Sequence, residues 1–196
     1  MGSSYETVLV AADIEAVCQF LEAVDQEAVV AIVGTDRTVL VPGRGDYYAP
    51  ELAQELSRAL KTSAVSWEVY DSDVITATVF AEGGETMHKY VSAQPTGDGP
   101  AGVDPEPFRP FGSDQMDAEK LEWALRGGPH ARGLPWLFAE EQHRLIIETL
   151  GLTPESHILS LSFDQACDAD YLSVPGVRRV CELPPEADYW SVPDED

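Results

Sequence analysis

The sequence predicts an α+β fold, and three observations predict it. Short β-branched apolar runs alternate with two helical repeats in the order β-α-β-β-α-β, followed by more β. Two polar turns, Gly34-Thr35-Asp36-Arg37 and Glu82-Gly83-Gly84-Glu85, separate runs that read as hairpins. Beyond a stretch rich in Pro and Gly the apolar spacing becomes helical.

Thr7 to Ala11 reads as a short apolar strand. Asp13 is placed to cap a helix whose apolar residues Ile14, Val17, Cys18, Leu21 and Val24 recur every three or four positions. Ala28 to Val33 and Thr38 to Val41 form the first predicted hairpin. Pro50 suits the first turn of a second helix, with Leu52, Leu56 and Leu60 on one face. Ala64 to Tyr70 follows as a strand, then Val74 to Phe80 and Met87 to Val91 as the second hairpin. This order predicts a ferredoxin-like split β-α-β antiparallel sheet with an extra hairpin, both helices on one face, and a C-terminal helical extension. Met116, Leu121, Ala124 and Leu125 predict a helix stopped at Gly127-Gly128-Pro129, and a further helix is expected from Leu137 to Leu150. Ile158 to Phe163 alternates apolar residues with Ser, which favours a strand, although a short helix fits nearly as well. The expected organisation is a sheet domain over 1–93, a Pro/Gly-rich loop over 94–112 without regular structure, a helical extension over 113–174 packed on the first domain, and an irregular acidic tail over 175–196.

Charge bounds the function classes. The chain carries 35 Asp plus Glu against 12 Lys plus Arg, a net charge of -23 over 196 residues. Such a field repels nucleic acid and anionic membrane and attracts basic surfaces. With 44% hydrophobic and 9% aromatic residues the composition is that of a folded chain. No apolar run approaches the roughly 18 residues that would span a bilayer, and Met1 to Glu6 lacks the basic and apolar segments of a secretory signal, so a cytoplasmic location is expected. Three cysteines, Cys18, Cys167 and Cys181, with no C-x-x-C pair, argue against a disulfide framework. Cys18 falls on a helical apolar stripe, where a buried thiol is expected.

Several constellations bear on chemistry. Asp71 and Asp73, in Tyr70-Asp71-Ser72-Asp73, read as turn residues, since Asp and Ser bond local backbone there. Glu140 and His143 form a Glu-x-x-His unit, which di-iron bundles use twice; a single copy reads as a solvated helix face. Asp164, Asp168 and Asp170 lack the spacing and central Gly of a calcium loop and read as a solvated loop. Arg44-Gly45-Asp46 reads as a turn, and His88 and His157 have no metal-spaced partner. Arg126, His130 and Arg132 flank the one basic Gly-rich loop, the best small-anion candidate, although it lacks the Lys and Ser/Thr of a phosphate loop. No catalytic residue, metal site or cofactor is assigned, and the reading leans away from an enzyme.

The segments Trp67-Glu68-Val69-Tyr70-Asp71-Ser72-Asp73-Val74 and Lys89-Tyr90-Val91-Ser92, with Glu141-Gln142-His143 and Leu150-Gly151-Leu152, are similar to acidic proteins of high-GC actinobacteria. The resemblance implies an immunity partner of a toxin and carries no catalytic residue. The leading expectation is an acidic protein-binding module of the inhibitor or immunity type that engages a basic protein. Asp71, Asp73, Asp114, Asp117 and Glu119 would supply charge, and Tyr189 and Trp190 would act as anchors. The alternatives are a domain or enzyme holding a small anion or metabolite at the Arg126–Arg132 loop, and a salt-adapted structural protein.

Overall fold

Val8, Leu9 and Val10 are apolar without alternation because their strand is covered on both faces. That strand, β1 (Tyr5–Val10), lies at the centre of one sheet. The computed structural model describes residues 4–93, 99–128, 138–152 and 158–182. Six more strands complete the sheet: β2 (Ala28–Gly34), β3 (Arg37–Pro42), β4 (Ala64–Tyr70), β5 (Val74–Phe80), β6 (Thr86–Val91) and β7 (Val177–Val180). Their order is β6-β5-β4-β1-β3-β2-β7, and every neighbouring pair is antiparallel. The fold is mixed α+β.

Two helices cover one face. In α1 (Ile14–Ala23) the Asp13 carboxylate accepts from the Ala16 amide at 3.0 Å, satisfying one of the unpaired first-turn donors. In α2 (Ala49–Leu60) the first-turn Ala49 amide donates to Glu6 on β1 at 3.0 Å. Leu21, Leu52 and Leu56 from these helices are buried against Val8, Val10, Val30 and Leu40. The opposite face meets α3 (Ala118–Leu125) and α4 (Ala139–Thr149), with the short helices α5 (Phe163–Ala166) and α6 (Ala169–Leu172) beyond them. Trp67, Tyr90, Leu121, Leu125, Ile146 and Leu150 form that second core layer. The helical segment therefore shares a core with the N-terminal sheet.

Three expectations are corrected. The Pro/Gly-rich stretch contains a 3₁₀ helix, Glu106–Phe111, whose Phe108 and Phe111 are fully buried. Pro at its start tolerates the tight turn, and two aromatics spaced three apart give it something to bury. Ile158 to Ser160 forms a 3₁₀ turn, and Phe163 opens α5 through a capping box between Ser162 and Gln165, so this stretch is not a strand. Val177–Val180, expected to be irregular, is the edge strand β7 paired to β2. A buried carboxylate, Glu27, holds it: Arg179 on β7 donates to Glu27 Oε1 through Nε at 3.1 Å, and Arg44 donates to Oε2 at 3.3 Å.

Candidate functional site

The turn between β4 and β5 is exposed and acidic. Tyr70 pairs with Val74 across the hairpin, and the Asp73 amide donates to the Tyr70 carbonyl at 2.9 Å. Asp71 and Ser72 occupy left-handed backbone (φ 48° and 60°), a conformation that short polar side chains tolerate better than bulky ones. The turn then receives the start of α4. The Ala139 amide donates to the Ser72 carbonyl at 2.9 Å, and Ser72 Oγ donates to Glu140 Oε1 at 2.5 Å. Phe138 (59% exposed) and exposed Glu141 stand at the start of that helix, while Tyr70 (48% exposed) and exposed Asp71 and Asp73 belong to the turn itself. Tyr70 Oη donates to Glu68 at 3.1 Å. Desolvation, then the Glu68 carboxylate, pushes the Tyr70 phenol up to about 12, so it stays a neutral donor. Glu6 and Glu68 stand directly opposite each other on β1 and β4, adding two more carboxylates at this corner.

The remaining residues expected to meet a partner are held elsewhere. Asp114, Asp117 and Glu119 lie at the other end of α4, because the Asp117 amide donates to Thr149 and the Ser113 amide to Leu150. Eleven residues of helix separate the two ends by about 16 Å. Asp117 caps α3 and pairs with Lys120 at 3.1 Å, and these contacts, the Lys120 backbone hydrogen bond first, hold its carboxyl below the usual range. Asp168 caps α6, and Asp164 is exposed in the first turn of α5. Among the described residues no cluster of His, Cys, Asp and Glu is arranged to hold a metal. Cys18 is buried, and burial raises its thiol pKa; all three cysteines are free. Arg126, a candidate small-anion ligand from the sequence, is paired with Glu122 at 2.7 Å. His130, Arg132, His157, Tyr189 and Trp190 lie outside the described residues.

Glu140 and His143 do not form a solvated helix face. Glu140 is half-buried and bonded to Ser72, and His143 is fully buried. Its ring centroid lies 5.0 Å from that of Trp67 and 5.8 Å from that of Tyr5, and Nδ1 is 2.9 Å from Tyr5 Oη. Burial alone lowers its pKa to about 3. Beside it Gln142 Nε2 donates to Tyr90 Oη and to the Ala124 carbonyl, while Tyr90 donates to Leu125. Nε2 of His143, Nε1 of Trp67 and Oε2 of Glu140 are buried without a protein partner. A signal for this cluster was present in the spacing. Ala139, Gln142, His143, Ile146, Ile147 and Leu150 form one i, i+3, i+4 stripe, so the two polar residues ride on the apolar face.

No described helix is long and apolar enough to cross a membrane. Comparison with known proteins yields no match: no family model fits the chain, and no curated protein or solved structure is significantly similar to it.

Proposed function

We propose that this protein is an acidic binding module of the inhibitor or immunity type, and that the β4–β5 turn with the start of α4 is where it engages a basic partner protein. One observation carries the reading. Tyr70, about half exposed, stands in a turn with exposed Asp71 and Asp73, and a backbone bond from Ala139 to Ser72 ties that turn to the start of α4, where Phe138 and Glu141 are exposed. Aromatic anchors ringed by carboxylates suit Arg and Lys on a partner, which stack on the ring while pairing with the acid. The net charge of -23 supplies long-range attraction that speeds encounter. Within the sheet, the order β4-β1-β3-β2 with α1 and α2 on one face supports a ferredoxin-like reading of the core, with β5 and β6 as its added hairpin.

The test is a capture experiment from host lysate with stepwise salt elution, run in parallel on the wild type and on a Tyr70→Ala/Asp71→Asn/Asp73→Asn variant. The expected result is one basic protein that the wild type retains at low salt and releases at moderate salt, and that the variant fails to retain. Equal retention by the variant, or binding insensitive to salt, would overturn the proposal.

A further inference from the structure

At the other end of the molecule the β2–β3 hairpin faces the segments around Ser113 and Gly151 across an open cleft of about 770 Å³. Its cation is Arg37. Seven other described arginines, Arg44, Arg58, Arg109, Arg126, Arg144, Arg178 and Arg179, each have a carboxylate partner. Arg37 has none among the described residues: Nη1 donates to the Thr35 carbonyl at 3.0 Å, Nη2 donates to the Gly112 carbonyl, and Nε is buried without a partner there. A guanidinium presents five donors, so these two bonds orient the group and leave capacity over. In a chain with nearly three acids per base, an arginine held by two carbonyls and left without a counter-ion is a departure from the pattern.

The same cleft is lined by Asp36 and Asp114, both exposed, and neither pairs with Arg37 or with any other cation among the described residues. Ile32 (45% exposed) and half-buried Leu152 add an aliphatic surface. A simple anion would be attracted by Arg37 and repelled by two carboxylates. A simple cation would meet the reverse. A ligand carrying both signs satisfies both sets at once. We propose that this cleft binds a small zwitterion, a free α-amino acid with an aliphatic side chain: Arg37 takes the carboxylate, Asp36 and Asp114 take the ammonium, and Ile32 and Leu152 meet the hydrocarbon. This site is independent of the partner-binding reading, which concerns the opposite end of α4.

The experiment is a thermal-shift and amide-NMR titration of the full chain with three millimolar probes. L-leucine carries both charges, 4-methylpentanoate only the carboxylate, and isoamylamine only the ammonium. The expected result is a saturable rise in Tm with leucine alone, with amide shifts confined to residues 32–37, 113–114 and 151–152. Arg37→Gln should weaken leucine binding by roughly tenfold or more, as expected for losing a charge-assisted contact. Because Arg37 also bonds the Gly112 carbonyl, Asp114→Asn provides a second test: its side chain makes no hydrogen bond among the described residues, and it should weaken leucine binding without lowering the ligand-free Tm. No response to leucine, an equal response to 4-methylpentanoate or isoamylamine, or unchanged affinity in Asp114→Asn would each overturn the proposal.

Discussion

His143 is a neutral imidazole in an apolar layer, and its chemistry sets how the molecule responds to acid. The unfolded chain accepts a proton on this residue below its ordinary pKa of 6.5, whereas burial lowers the folded-state value to about 3. Stability is therefore fully present above about pH 6.5 and declines as pH falls through that window, by up to about 1.4 kcal/mol per pH unit for this one proton. Tyr5 and Trp67 from the sheet face the ring, and among the described residues no carboxylate pairs with it. The expected outcome is that His143→Gln loses less stability than the wild type between pH 6.5 and 4.5. Urea unfolding at four pH values measures it, and the difference between the two proteins removes the shared effect of carboxylate protonation. Parallel pH profiles would show that the ring is hydrated in the folded state.

Among the elements, β7 is the least self-sufficient. It is four residues long and pairs on one side only, with β2. Its anchorage is electrostatic as well as hydrogen-bonded. Burial pushes the Glu27 carboxyl up, but hydrogen bonds from Arg179 and Arg44 outweigh that and hold it below its ordinary value. Both guanidiniums stay partly in water, so the pairing is worth less than a fully buried triad. Glu27→Gln is expected to cost about 2 kcal/mol and to speed amide exchange selectively in Val177–Val180, as followed by hydrogen–deuterium exchange. The sign with pH follows from the depressed value: this contribution is present above the normal glutamate range and disappears as pH falls through the folded-state value. Uniform exchange across the sheet would mean that β7 opens only with global unfolding.

For the whole molecule, the surplus of carboxylates is the dominant field. Many acids are absorbed locally: Asp13, Asp117 and Asp168 cap helices, and Glu6 accepts from the first turn of α2. The remainder repel one another. Raising NaCl from low to physiological concentration shortens the screening length to about 8 Å and is expected to raise Tm, in contrast to the partner complex, which salt should weaken. A Tm that falls with added salt would indicate that local ion pairs outweigh the repulsion.

What the sequence determined by itself was the set of local elements. The β-α-β-β-α-β order, both hairpin turns and the Asp13 cap are written in neighbouring residues, and periodicity with turn chemistry is enough to read them. The acidic character is likewise a matter of composition. Tertiary structure decided everything that depends on which distant segments meet. Val177–Val180 has too few residues to declare itself a strand, and becomes one because Glu27 and the open edge of β2 are there to receive it. Phe108 and Phe111 sit in a stretch that composition marks as a loop, yet the uncovered face of the sheet draws them into the core. His143 looks solvated beside Glu140 and Glu141 until α4 docks on Trp67 and Tyr5. The acidic residues named from sequence separate into two ends of α4, and Arg126 is taken up by Glu122 while Arg37 is the described arginine without a carboxylate, because counter-ions are chosen by proximity in space, which spacing along the chain does not encode.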